Sequence, residues 1–196
     1  MLVTTLSGKK AKLAALLMLV ATLQGCAVAT VAVITVGATM ATDRRTIGKQ
    51  VDDQTIEFTA HNELAKQKAL SENTNLHVVS VNGSLLIVGQ TPNTYLRDLA
   101  VKTVGEVQGV VRVHNQIRIS STTSVTTQTN DIWLTSKVKS ALFASDKVNV
   151  KDIKVVTENA EVFLMGLVSK AEADAAVDIT RNISGVNKVF KAFEYI

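Results

Sequence analysis

Beyond Asp43 the chain repeats itself, and this constrains its fold more than any other feature. VVSVNGSLLIVGQ at 78–90 aligns with VVTENAEVFLMGL at 155–167, an offset of 77. GVVRVHNQIRI at 109–119 starts in step with GVNKVFKAFEYI at 185–196, an offset of 76, and DQTIEFTAHNEL at 53–64 matches DIWLTSKVKSAL at 131–142, an offset of 78. The one-residue drifts fall between the aligned stretches, where connections tolerate insertions. A 196-residue chain of this kind folds as two small copies of one domain rather than one large one.

Each copy gives the same coarse pattern. An amphipathic helix comes first, at about 52–67 and again at about 130–144, with Asn130 as N-cap of the second. Two alternating apolar stretches then flank a turn, Asn82-Gly83 in copy one and Asn159-Ala160 in copy two; Asn-Gly favours a tight hairpin. A second helix follows at about 93–107 and 169–183, with Pro92 opening the first of these, and a last strand closes each copy at 110–119 and 186–195. The fold class is therefore α+β: two tandem αββαβ domains, each a three-stranded mixed sheet with two helices packed on one face. The domains are 46–119 and 130–196, joined by the Ser/Thr-rich linker 120–129.

The N-terminus carries a different signal. Lys9, Lys10 and Lys12 precede an eleven-residue apolar run, LAALLMLVATL at 13–23, too short for an ordinary membrane-spanning helix. It runs into LQGC, which resembles a bacterial lipobox ending at Cys26, with Gln24 as a departure from the usual small or aliphatic residue. That resemblance implies a lipoprotein signal peptide at 1–25, diacylglycerol on the Cys26 sulfur, a further acyl chain (palmitate in type) on the new amino terminus, and a lipidated apolar tether at 26–45. Cys26 is the only cysteine, so an intramolecular disulfide is excluded. Ala27 rather than Asp after it points to the outer membrane. A rival reading stays open, because residues 13–42 are thirty uncharged residues in a row, enough for an uncleaved anchor with Cys26 inside it. The +4 net charge lies largely in this region: without residues 1–25, 18 basic side chains face 17 acidic ones. The basic pI therefore does not indicate nucleic acid, and with aromatic content at 4% there is no basic–aromatic interleaving of the kind that binds single strands.

The repeat resembles the BON domain, a bacterial module of periplasmic and envelope proteins. The residues that carry the likeness are the run from Val79 to Gly89 around Asn82-Gly83, and the Gly-Val-x-x-Val of Gly109, Val110 and Val113. Copy two answers with Asn159, Val162, Leu164 and Gly166, then Gly185, Val186 and Val189, departing at Ala160 where copy one has glycine. A lipobox followed by two such domains resembles the dual BON-domain outer-membrane lipoproteins of Gram-negative bacteria.

The first helix of copy two poses the functional question. On a helix at 100° per residue, Leu134, Val138, Ala141 and Leu142 share a core-facing arc, as Ile56, Ala60, Glu63 and Leu64 do in copy one. The opposite arc carries Ile132, Trp133 and Phe143, with Ser136 and Ser140 between them and Lys137 and Lys139 near its edges. The matching positions of copy one are Gln54, Thr55, Phe58, His61, Asn62 and Ala65, mostly polar, so the fold does not require apolar residues there. Large apolar side chains favour burial, by roughly 1.5–3 kcal/mol each. Three covers are compatible with the pattern: copy one, as a domain seam; an envelope protein, such as outer-membrane assembly or peptidoglycan-remodelling machinery; or a bilayer surface, where Trp sits at the interface and Lys meets anionic phosphate.

The family resemblance implies the bilayer: anionic phospholipid, phosphatidylglycerol or cardiolipin, bound by the first helix of the second domain. Carried over by position, it points to Trp133, Val138, Lys139, Leu142 and Phe143, although the periodicity puts Val138 and Leu142 in the core. It further implies a non-enzymatic role in envelope integrity, facing the periplasm, with enrichment at division sites. Consistently, the three histidines, His61, His77 and His114, lie on separate elements with no metal-pair spacing, and no nucleophile elbow or phosphate loop occurs. No cofactor, metal site or catalytic residue is expected. Asp52 and Asp53 read as a helix opening, Asp146 as the close of the helix in copy two, and Asp43, Arg44 and Arg45 as the exit of the tether near lipid head groups.

Overall fold

The computed structural model describes residues 43–121 and 125–196. The expectations for the signal peptide, Cys26 and the tether up to Thr42 lie outside them. Copy one consists of α1 (Ile47–Lys66), a one-turn-and-a-half α2 (Lys68–Asn73), β1 (Asn75–Val81), β2 (Ser84–Thr91), α3 (Thr94–Gly105) and β3 (Arg112–Ile119). Copy two consists of α4 (Val125–Phe143), a 3₁₀ turn (Val150–Asp152), β4 (Ile153–Glu158), β5 (Glu161–Val168), α5 (Lys170–Arg181) and β6 (Lys188–Tyr195).

The local chemistry accounts for these boundaries. Thr46 caps α1, its hydroxyl accepting the Lys49 N–H, and the helix buries Asp53, Ile56, Ala60 and Leu64 at helical spacing. Glu63 is not in that stripe; it faces solvent and pairs with Lys66. Asn93 caps α3 by accepting the Leu96 N–H, so Pro92 lies one residue ahead of the cap, not in the first turn. Ser169 and Glu172 form a reciprocal capping box on α5. Helix α4 starts at Val125 and passes straight through Asn130, so Asn130 is not its N-cap and the second half of the polar stretch 120–129 is helical.

In each copy a hairpin is followed by a helical crossover. β1 pairs antiparallel with β2 and β2 parallel with β3, giving the order β1-β2-β3; β4-β5-β6 repeats it. The central strands are buried on both faces, which is why β2 and β5 read as continuous apolar runs. Leu85 and Ile87 face the helices of copy one, and Val162 and Leu164 those of copy two. The alternate residues Leu86 and Val88 meet Phe163 and Met165, joined by Val81. The two sheets therefore pack face to face, with Phe163 and Phe190 stacked at 4.8 Å, in a helix–sheet–sheet–helix sandwich.

This seam follows an approximate two-fold. Glu194 accepts from Asn82 and Ser84, while Arg118 pairs with Glu161. Glu194 is the counterpart of Arg118 and Glu161 that of Ser84, so each contact is the image of the other, as in an isologous dimer interface. The seam thus runs through the sheets. The possibility that the outer face of α4 forms it is overturned: Leu86, Val88, Phe163 and Met165 of the sheet faces meet there, while Ile132, Trp133 and Phe143 stay exposed on α4.

Candidate functional site

Helix α4 sits over the sheet of copy two by its inner face. Asp131, Leu134, Val138 and Leu142 are buried there. Asp131 anchors the far end of the hairpin, accepting the N–H groups of Asn159 and Ala160 at 2.8 Å each.

On its outer face Ile132 is 70% exposed, Trp133 58% and Phe143 76%. Lys137 folds back over the Trp133 ring, its Nζ 4.3 Å from the ring centroid, and donates to the Ser184 carbonyl at 3.0 Å. The cation is thereby held against the aromatic face at the rim of the apolar patch. Lys139 extends into solvent at the opposite rim. Ser136 folds its hydroxyl onto the Ile132 carbonyl, so the helix backbone takes up that polar group. Between Ile132 and Phe143 the patch runs along about 16 Å of helix.

Of the seven residues predicted for lipid contact, the structure brings Ile132, Trp133, Lys137, Lys139 and Phe143 onto one surface. Val138 and Leu142 are not on it. Both are fully buried among Val155, Leu164 and Ala173, because they lie on the arc of the helix that meets the sheet; they support the face from beneath. Copy one is also less polar outside than its six aligned positions suggest: α1 exposes Ile47, Val51 and Phe58. Ile47 and Val51 lie upstream of the aligned repeat, and no cation stacks on Phe58 among the described residues.

Asp53 and the neighbouring Arg44 and Arg45 turn out to be structural. Asp53 does not open a helix. It lies within α1, 3% exposed, and its carboxylate accepts from the Ser80 hydroxyl, the Asn82 and Gly83 N–H groups and Arg45. The signal for this was present in the repeat, since Asp53 and Asp131 begin the matched segments of the two copies. Arg44 and Arg45 do not project toward head groups either. Arg45 is clamped between Asp43 and Asp53. Arg44 reaches copy two, forming a bidentate pair with Glu172 at 2.7 Å to each oxygen, while its backbone N–H donates to Asp152 at 3.0 Å. The Arg44 guanidinium, followed by the Ser169 hydroxyl and N–H, holds the Glu172 carboxyl down at about 2. The same pair raises Arg44. Burial lowers His114, aided by nearby Arg112.

Among the described residues no group of three or more His, Cys, Asp or Glu is placed to hold a metal ion, and no helix is long and apolar enough to cross a membrane.

Residues 52–121 and 130–196 each match the sequence pattern of the BON domain. The chain is 43% identical over 192 residues to the outer membrane lipoprotein DolP of Haemophilus influenzae, covering 98% of this chain and 99% of that protein. It is 39% identical over 154 residues to the 21 kDa hemolysin of Actinobacillus pleuropneumoniae, 79% of each. It is 31% identical over 127 residues to the osmotically-inducible protein Y of Escherichia coli, covering 63% of this chain and 60% of that protein.

Proposed function

Because the chain belongs to the BON-domain family, as a two-domain outer-membrane lipoprotein, we propose that its second domain docks on anionic phospholipid through the outer face of α4. The observation that carries this reading is the composition of that face: Ile132, Trp133 and Phe143 exposed together, with Lys137 and Lys139 at the rims. Trp favours the head-group region, its neighbours enter the acyl boundary, and each lysine near an anionic surface contributes about 1 kcal/mol. Partial burial of three apolar side chains adds a few kcal/mol, a weak attachment in isolation. Lipidation of Cys26 makes it sufficient, because the anchor holds the face beside a leaflet at high effective concentration. The anchor retains the protein in the membrane, and α4 biases it toward regions rich in phosphatidylglycerol or cardiolipin. Enrichment at division sites and support of envelope integrity follow from that bias.

Trp133 is the sole tryptophan and reports directly. Residues 43–196, which contain all three apolar clusters, are titrated with phosphatidylglycerol-containing and with neutral vesicles. The expected result is a solvent-exposed emission that shifts blue with anionic vesicles alone and reverts with added salt. Trp133→Glu abolishes vesicle sedimentation while leaving the melting temperature in place. Emission indifferent to lipid, or a Trp133→Glu variant that still sediments fully, overturns the reading. Attachment independent of lipid charge and of salt would mean apolar insertion without selection for anionic phospholipid, and likewise overturns the reading.

A further inference from the structure

The two copies treat their outer sheet edges differently. β1 and β4 are edge strands of their sheets. In copy one, Glu57 on α1 closes the edge: its carboxylate accepts the Ser80 N–H at 2.7 Å and the Lys154 ammonium at 2.7 Å, the lysine reaching across from β4. The approximate two-fold gives this arrangement an image. Thr135 holds the place of Glu57 on α4, Thr157 that of Ser80, and His77 that of Lys154.

The image is never completed. Thr135 is short, and its hydroxyl bonds the Thr157 hydroxyl at 2.8 Å instead of closing the edge. His77 stands exposed on the other side. Between them a groove of about 400 Å³ runs along β4, walled by Ile132, Gln128 and Val155. Ser80 pairs with Leu85 and directs its N–H outward; Thr157 pairs with Val162 in the same register. By antiparallel alternation, the N–H and C=O groups of Thr157 and Val155 therefore point out of the sheet and into the groove. Among the described residues no strand lies beyond β4.

We propose that this groove receives an extended segment of another envelope protein, which adds as a further strand on the edge of β4. A row of outward peptide groups is satisfied by another peptide backbone, whereas an acyl chain would desolvate it without hydrogen bonds. The six residues of β4, Ile153–Glu158, offer about 20 Å of edge. The walls also define the side chains accepted. Ile132 and Val155 suit apolar, β-branched residues. Asp131 and Glu158 lie in the lining and are already committed to the turn amides and to Gln90, so an acidic segment is repelled and an uncharged or basic one is preferred. Copy one takes up the Ser80 amide of its edge with its own carboxylate; copy two leaves the matching Thr157 amide to a partner. This groove shares Ile132 with the Trp133–Phe143 face, but strand addition along β4 does not depend on lipid docking.

The test uses the isotope-labelled full chain in detergent and a capped synthetic peptide, acetyl-Lys-Val-Thr-Val-Thr-Val-amide, followed by amide NMR. The expected result is saturable shifts at Thr157, Val155 and His77 below about 1 mM peptide. Thr135→Glu, alone and combined with His77→Lys, installs the closure of copy one and weakens peptide binding about tenfold or more. Melting temperatures of both variants are measured alongside, and the single variant stands if the double does not fold. Trp133 is not in the groove lining, so Trp133→Glu, which removes vesicle binding, is expected to leave peptide binding unchanged, and failure here is distinguishable from failure of the docking reading. No shifts at about 1 mM, or equal binding by parent and variants, overturns the proposal. Concentration-dependent shifts without peptide that vanish in the variants also overturn it, because the occupant is then a second copy of this chain.

Discussion

Replacing Asp53 with alanine tests whether the hairpin turn of copy one is held from the helix. The carboxylate is buried and serves four donors at 2.7–2.9 Å: the Ser80 hydroxyl, the Asn82 and Gly83 N–H groups and the Arg45 guanidinium. Arg45 keeps Asp43 as a partner, so its charge is not stranded. Ser80 and Gly83 are buried and would be left without an acceptor, at about 1–3 kcal/mol each. With the lost charge-assisted bond, the expected destabilisation is about 4 kcal/mol. Asp131→Ala is the internal control. It removes the bonds to Asn159 and Ala160, both half-exposed, and water replaces much of what is lost, so the expected cost is about 1–2 kcal/mol. Guanidinium unfolding of parent and variants at matched slopes measures the difference. Equal losses, or a larger loss for Asp131→Ala, would refute the argument that burial of the stranded donors sets the cost.

The same turns provide a second pair of predictions. A Cβ at Gly83 would lie 2.8 Å from the Gly109 carbonyl oxygen, at a φ of +79°, so Gly83→Ala is expected to cost about 2–3 kcal/mol. Ala160 already sits at φ +59°, and Ala160→Gly should raise stability by about 0.5 kcal/mol, the left-handed penalty less the entropy of glycine; thermal melts of both variants check the opposite signs. Acid should loosen the Arg44 clasp. Glu172 is held at about 2, below its ordinary 4.5, so its contribution is complete above the ordinary value and is withdrawn as pH falls toward 2. Melting temperature followed from about pH 5 to about pH 2 should drop less in Glu172→Gln than in the parent.

Much of the fold was legible because the chain states it twice. The hairpins are set by local turn chemistry and by alternation, and the agreement of two independent copies separates required positions from tolerated ones. The exposed Ile132, Trp133 and Phe143 were legible for the same reason, since copy one does without their like at the matching positions. Other features were hidden because they depend on distant partners. Asp53 read as a helix opening, and nothing in its neighbourhood says that its partners lie 27 to 30 residues away. Arg44 looked like a tether residue, while its carboxylate partner Glu172 is 128 residues on.

The sequence by itself therefore determined the two αββαβ units, the inner stripes of their first helices and the apolar outer face of α4, all of which follow from periodicities within a single element. Only the tertiary structure decided what covers what. Leu86, Val88, Phe163 and Met165 could have been read simply as strand residues, but they form the seam between the sheets. The physical reason is area: two flat apolar sheet faces bury more surface against each other than a helix rim could, and once they meet, α4 is left facing outward and the edge of β4 stays open.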